Sequence, residues 1–224
     1  VPADYAGRTV VVTGTSGALG SGLARAFATA GADVVGVDRA APDERAVVEN
    51  VRYESVDLTD DASVASLLDG IGTPWAVVHT VGGFAPQGPL AELDLAELQT
   101  QFTLNLVTSA VVTKHALRLM QPLGAGRVVL TASRAAVVTK NTGFSYSVSK
   151  QAVLHLVRMA AEEVAGSGVT VNAVVPSIID TPANRAAMPK ADHDRWPKVA
   201  DIAKAYLYLA SPDAGLVNGA AVPV

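Results

Sequence analysis

Short β-branched runs alternate with longer segments whose apolar residues recur at helical spacing. The runs at 9–13, 34–38, 52–56, 75–80, 127–132, 170–175 and 220–224 read as strands. Several, such as Val10-Val11-Val12, are apolar without polar alternation, which suits parallel strands covered on both faces. Segments 19–30, 62–68, 95–120, 147–165 and 199–209 carry the helical period. Regular strand–helix alternation builds βαβ units. The expected fold class is therefore α/β, a single doubly wound parallel sheet of about seven strands with helices on both faces. No repeat, low-complexity tract or linker interrupts the pattern, so residues 1–224 are expected to form one domain.

The helix expected from Ser147 places Val153, Leu156, Val157, Ala160 and Val164 at core-facing spacing, and Leu154 and Met159 widen that arc. An arc so broad predicts a second buried face. A subunit contact in a homodimer or homotetramer would cover it; the alternative is a helix sunk deep in a larger fold.

The 224 residues are 50 % hydrophobic and 17 % charged, the balance of a compact chain with a sizeable core. A net charge of −4 gives no basic footprint for nucleic acid or anionic lipid. The lack of cysteine excludes disulfides, thiolate nucleophiles and cysteine–metal clusters. His79, His115, His155 and His193 show no spacing that makes a metal pair, so no metal site is expected. No basic stretch followed by an apolar core opens the sequence, and no apolar run is long enough to span a bilayer. A soluble, cytoplasmic protein is the expectation.

The first strand runs into Thr13-Gly14-Thr15-Ser16-Gly17-Ala18-Leu19-Gly20 and then a helix. Glycines here permit a tight turn and let backbone amides approach a pyrophosphate, while the helix N-terminus supplies free N–H groups and a favourable dipole. The second strand ends in Asp38, about 20 residues downstream, where a carboxylate can hold a ribose diol. Together these predict a Rossmann-type dinucleotide site. Asp38 repels a 2′-phosphate and favours NAD(H), whereas Arg39 beside it could pair with that phosphate and keeps NADP(H) possible. Asp57 closes the third strand, placed either to meet the adenine edge or to cap the helix that begins after Thr59.

Tyr146 and Lys150 lie four residues apart, and Ser133 lies upstream. On a helix they share a face, and an ammonium near a phenol lowers a pKa that is otherwise about 10. A tyrosine so tuned suits general acid–base chemistry. Alone, the pair also fits a packed ring and a lysine reaching for water.

Taken together, these residues resemble the short-chain dehydrogenase/reductase family along essentially the whole chain. Thr13-Gly14 through Gly20 looks like its cofactor turn, and Asn105 falls where the family places a catalytic asparagine. Ser133 and Tyr146 have the family's spacing, Lys150 completes the set, and Pro176 to Thr181 resembles the loop that touches the nicotinamide. The resemblance implies an NAD(P)-dependent oxidoreductase moving hydride between nicotinamide and a small-molecule carbonyl or alcohol. Tyr146 would act as general acid/base and Ser133 would bond the substrate oxygen. Lys150 would hold the nicotinamide ribose, and Asn105 would fix a water through its helix carbonyl. Cofactor contacts are implied for Gly14, Ser16, Gly17, Ala18, Leu19, Gly20, Asp38, Arg39, Asp57, Leu58, Val81, Gly82, Gly83, Tyr146, Lys150, Pro176, Ile179 and Thr181.

Three positions depart from the family pattern. Ala18 replaces the middle glycine, with Gly17 expected to take over the turn; His79-Thr80-Val81-Gly82 replaces an asparagine-rich motif; Ser177 replaces a glycine. These departures, with Gly82-Gly83 before an aromatic and Asp180-Thr181-Pro182, look like the dihydropteridine reductase branch, although that branch generally lacks the asparagine kept at Asn105. Pterin reduction is the alternative activity; a non-catalytic NAD(H)-sensing module or a structural subunit would leave the catalytic set idle. Residues 182–197 show little helical or strand pattern and are expected to form a lid. Phe84, Pro86, Arg134, Val138, Phe144, Asn184, Met188 and Trp196 are candidates to roof the site.

Overall fold

A computed structural model describes residues 4–40, 47–85, 89–138 and 143–224. The valine-rich runs become β1 (Thr9–Thr13), β2 (Asp33–Asp38), β3 (Val51–Ser55), β4 (Ala76–His79), β5 (Gly126–Thr131), β6 (Val169–Val175) and β7 (Ala221–Pro223). All pair in parallel, in the order β3-β2-β1-β4-β5-β6-β7. The helices are α1 (Ala18–Thr29), α2 (Asp61–Ile71), α3 (Leu95–Phe102), α4 (Thr108–Met120), α5 (Phe144–Glu163), α6 (Pro182–Ala187) and α7 (Val199–Leu209).

Period-two alternation explains why the strands read as unbroken apolar runs. Val11, Val77 and Val128 point into a core shared with Leu68 of α2, Val112 of α4 and Val153 of α5. Their neighbours Val10, Val12, Val78 and Val129 point the other way, against Leu23 and Phe27 of α1 and Ile202, Tyr206 and Leu209 of α7. Both faces of the central strands are covered, so β1, β4, β5 and β6 carry almost no solvated side chain, whereas the edge strand β3 exposes Arg52 and Ser55. The order reverses between β1 and β4, which opens a crevice at their C-terminal ends, the usual ligand position in such sheets.

Several boundaries differ from the sequence reading. The segment 95–120 is interrupted by one π-turn, Thr103–Val107, between α3 and α4. α5 starts at Phe144, three residues earlier than expected, behind the extended Gly143. The stretch expected as a lid holds α6 and a 3₁₀ turn at His193–Arg195, and is tied back by a bridge between Asp180 and Lys198. A six-residue helix is too short to register as periodicity. Its signal is the cap: the Thr181 hydroxyl accepts the Asn184 N–H at 3.2 Å, and Pro182 follows in the first turn. Asp60, not Asp57, caps α2 by accepting the Ala62 N–H at 3.1 Å. On α5, Leu154 is fully buried in the core while Met159 stands 61 % exposed.

Candidate active site

At the end of β1 the chain turns through Gly14 at φ +78°, where a Cβ would lie 2.6 Å from Thr80 Oγ1. Gly20, on the first turn of α1, could not carry a Cβ without placing it 2.1 Å from the Gly14 carbonyl oxygen. These two glycines let helix and turn touch. Gly17 closes the turn, its N–H donating to the Gly14 carbonyl at 3.0 Å, and stands at the N-cap in an extended conformation, with Ala18 opening α1. It offers no side-chain cap, so the first-turn N–H groups of α1 are left for an anion. Asp38 reaches this turn from β2, its carboxylate accepting the Ser16 N–H at 2.9 Å and the Arg39 N–H at 2.7 Å.

Asp57 is exposed, and the Thr59 N–H and hydroxyl, at 2.9 and 2.7 Å, hold its carboxyl below the usual carboxylate range. Leu58 buries its side chain in the core, which leaves its backbone for any cofactor contact.

The loop after β4 is pinned from two sides. Asn105, fully buried in the π-turn, accepts the Gly83 N–H and donates to the Gly83 carbonyl, both at 3.1 Å. Its amide also donates to Ser149 Oγ at 3.0 Å. A Cβ on Gly82 would lie 2.6 Å from Asn105 Oδ1 and 2.9 Å from Lys150 Nζ, so only glycine fits there. The Asn105 backbone carbonyl, expected to hold a water, accepts the Ser109 hydroxyl at 2.6 Å, so one of its lone pairs is taken.

Ser133 ends the extended segment beyond β5. Its hydroxyl accepts the Ala135 N–H at 3.2 Å and also bonds the Tyr146 phenol. Lys150, one helical turn beyond Tyr146, is 4 % exposed and donates to the Thr131 carbonyl at 2.9 Å. Burial lowers its pKa to about 8. The expected lowering of the phenol pKa by Lys150 is corrected here. Burial raises Tyr146 above the usual 10, and the opposing influence is the Ser133 hydrogen bond; the Lys150 ammonium is directed at the β5 carbonyl. The Phe84 ring meets the Tyr146 ring edge-on, centroids 5.1 Å apart at 87°.

From β6, the Pro176 carbonyl accepts the Arg134 N–H at 2.9 Å, which ties the loops after β5 and β6 together. The Ile179 carbonyl accepts from Asn184 Nδ2 at 2.8 Å, so Ile179, Thr181 and Asn184 all help to anchor α6. Trp196 packs on His193 at 4.6 Å. Pro86 lies outside the described residues. Among the described residues no cluster of His, Asp or Glu could hold a metal.

Beneath the crevice runs a buried polar chain that sequence reading missed. Thr108 Oγ1 donates to the Leu104 carbonyl at 2.7 Å, so its 3.2 Å contact with His79 Nε2 needs the proton on the imidazole. His79 Nδ1 then accepts from Thr13 Oγ1 at 2.8 Å, and Thr13 Oγ1 in turn accepts the Thr80 N–H at 3.3 Å. One neutral tautomer satisfies every partner, and burial keeps it neutral by lowering the His79 pKa to about 3. Tyr206 joins from α7 through Thr131 Oγ1 at 2.7 Å, and Thr131 Oγ1 donates to the His79 carbonyl at 2.7 Å. Only the isolated threonines at the strand ends hinted at this.

A parallel sheet with a glycine turn and an acid–base side-chain set at one crevice defines a class, the dinucleotide-dependent oxidoreductases. Known proteins narrow it. The family described as enoyl-(acyl carrier protein) reductase matches residues 14–224. Cis-4-hydroxycyclohexanecarboxylate dehydrogenase of Sinomonas cyclohexanicum is 35 % identical over 98 % of this chain and 96 % of that protein. Galactitol 2-dehydrogenase of Rhizobium johnstonii is 34 % identical over 97 % of this chain and 93 % of that protein. A solved short-chain type dehydrogenase/reductase from Mycobacterium ulcerans shares 30 % identity with a TM-score of 0.90, over 99 % of this chain and 89 % of that one. The chain belongs to the short-chain dehydrogenase/reductase family and is an NAD(P)-dependent oxidoreductase of alcohol and carbonyl substrates.

Proposed function

We propose that hydride passes between the nicotinamide C4 of NAD(H), which supplies the redox chemistry when bound, and the carbinol or carbonyl carbon of a small substrate, with Tyr146 as general acid/base. The observation that carries this is the Tyr146 phenol bonded to Ser133, with Lys150 buried one helical turn away. The residues present fit the cofactor. Gly14 and Gly20 keep the turn bare of side chains, the first turn of α1 has free donors, and Asp38 stands at the end of β2 to receive a ribose diol. Asp38 also repels a 2′-phosphate, which supports NAD(H) over NADP(H).

Burial keeps the Tyr146 phenol protonated, the state that delivers a proton to a developing alkoxide. Ser133 donates a hydrogen bond to the same oxygen. Lys150 stays fixed on the Thr131 carbonyl with further donors for ribose hydroxyls, and Asn105 holds the Gly82-Gly83 backbone against it.

Tyr146→Phe is expected to lower turnover by orders of magnitude while NADH still binds; near-normal turnover would sink the assignment. Parallel fluorescence titration with NADH and NADPH, repeated on Asp38→Ala, tests the cofactor reading. Tight NADH binding weakened by the substitution supports it, and preference for NADPH would mean that Arg39 outweighs Asp38. The relatives above are named for a hydroxycyclohexane acid and a sugar alcohol, so both classes belong in the first substrate panel.

An oligomer is part of the proposal. Between α4 and α5 lies an open groove of about 830 Å³, with Leu117, Leu156 and Met159 among its lining residues. Lys114 and Arg118 on its α4 side are paired with Asp61 and Asp69 of α2, so the apolar floor, flanked by Glu162 and Glu163 on the α5 side, is the surface a second copy related by a two-fold axis would cover. Among the described residues no helix is long and apolar enough to cross a membrane.

A further inference from the structure

The rim of the acid–base site is apolar to an unusual degree. Phe84 follows the clamped Gly83, so its backbone is held by Asn105, yet the residue is 65 % exposed with only its edge spent on Tyr146. Val137 and Val138, in the turn after Ser133, are 61 % and 43 % exposed, and Phe144, two residues before Tyr146, is 37 % exposed. An isolated exposed apolar residue needs no explanation. Here four of them stand on the loop after β4, the turn after β5 that carries Ser133, and the start of α5 that carries Tyr146. The parallel sheet delivers β4 and β5 to the same C-terminal edge. Apolar surface gathered around a few convergent polar groups is the mark of a ligand pocket.

The polar inventory of the same segments is as telling. Residues 80–85, 132–138 and 143–149 contain no Asp, Glu, Asn or Gln, and their one charged side chain is Arg134. Among the described residues of these segments a polyol would find only Thr80, Arg134 and the hydroxyls around Ser133 and Tyr146. Most of its hydroxyls would leave water for apolar surface, and unpaired hydroxyls cost affinity steeply. Gln87, Lys140 and Asn141 lie outside the described residues. An apolar ring loses nothing. The perpendicular faces of Phe84 and Tyr146 form a corner that a compact ring fills, whereas a flexible chain would have to be ordered to do so.

We infer that the substrate is a compact hydrocarbon ring bearing the reacting secondary alcohol or ketone, and that Phe84 is the side chain that selects it by packing on that ring. This rests on the oxidoreductase reading of Tyr146 above and adds the substrate class to it. The step balances with the cofactor that reading already requires. In reduction the ring carbonyl carbon takes hydride from NADH while the Tyr146 phenol gives its proton to the oxygen, so C=O becomes C–OH. Oxidation is the reverse, with Tyr146 as phenolate taking the hydroxyl proton and the hydride passing to NAD⁺.

The test is steady-state kinetics with NAD⁺ on cyclohexanol and methylcyclohexanols, against galactitol and octan-2-ol, for the native chain, Phe84→Ala, Phe84→Leu and Tyr146→Phe. The ring alcohols should show the higher kcat/KM. Phe84→Ala should raise their KM about tenfold, with kcat and NADH affinity little changed, because roughly one aromatic face of apolar contact is lost. Phe84→Leu should restore most of the loss. Equal or better use of galactitol or octan-2-ol, or a Phe84→Ala loss that is the same for every substrate, would overturn the inference and leave the oxidoreductase reading standing. Turnover that survives Tyr146→Phe would instead overturn the acid–base reading on which it rests.

Discussion

Replacing His79 by leucine cuts the buried chain under the crevice at its centre while keeping a side chain of similar bulk. Thr13 Oγ1 loses the acceptor for its proton, and Thr108 Oγ1 loses the imidazole donor, in surroundings where His79, Thr13 and Thr108 are at most 2 % exposed. Each net hydrogen bond contributes about 1 kcal/mol, and a buried donor left unpaired costs about 1–3 kcal/mol. The expected loss near pH 7 is therefore about 2–4 kcal/mol, read as a shift in urea midpoint at constant m value. His79→Asn, whose Oδ1 can still accept from Thr13, should lose roughly half as much on the same scale.

The difference should also depend on pH. The unfolded histidine takes up its proton near pH 6.5, but the folded one resists until about pH 3 because burial disfavours the charge. Between those values the unfolded state binds the extra proton. His79 therefore contributes its full stability above about pH 6.5 and loses it as the pH falls toward 3, at up to about 1.4 kcal/mol per pH unit. Leucine carries no such slope. Urea curves for both proteins at pH 7, 6, 5 and 4 should show the gap closing by roughly 3 kcal/mol. A gap independent of pH, or one below about 0.5 kcal/mol at pH 7, would refute the buried neutral imidazole and the chain built on it.

Two further outcomes follow from close approaches in the fold. Gly20→Ala forces a methyl to 2.1 Å from the Gly14 carbonyl, so the turn must open; isothermal titration should show NADH affinity falling at least tenfold, and unchanged affinity would mean that the turn is not the binding element. Met159→Glu puts a charge beside Glu162 and Glu163 in the α4–α5 groove. Light scattering should then show the oligomer giving way to a species near the 22.9 kDa chain mass, and an unaltered oligomer would place the contact elsewhere.

Much of this architecture was legible in order and pattern. The central strands were recognisable because a strand buried on both faces must be apolar at successive positions, and Val10-Val11-Val12 satisfies both cores at once. Gly14 and Gly20 were recognisable as a turn because few other residues tolerate such approaches. Features held by one or two local contacts were read less well. The helix Pro182–Ala187 is declared by a cap, and Asp60 rather than Asp57 starts Asp61–Ile71. Each involves a choice between neighbouring residues of similar chemistry, which spacing does not resolve.

The electrostatics were out of reach for a different reason. The four-residue step from Tyr146 to Lys150 was correct, but the partner of the ammonium is Thr131, 19 residues away on β5. Desolvation, which dominates both groups, is a property of everything packed around them. His79 likewise meets Thr13 only because β1 and β4 pair in a register that sets those residues side by side, and meets Thr108 only because the π-turn and α4 lie across them. Residue type and local order thus determined the strands, the glycine turn and the choice of candidate catalytic residues, since these depend on side-chain period and backbone sterics. Tertiary structure decided the directions of the hydrogen bonds, the protonation states and the apolar rim, because those depend on which distant surfaces exclude water from the same place.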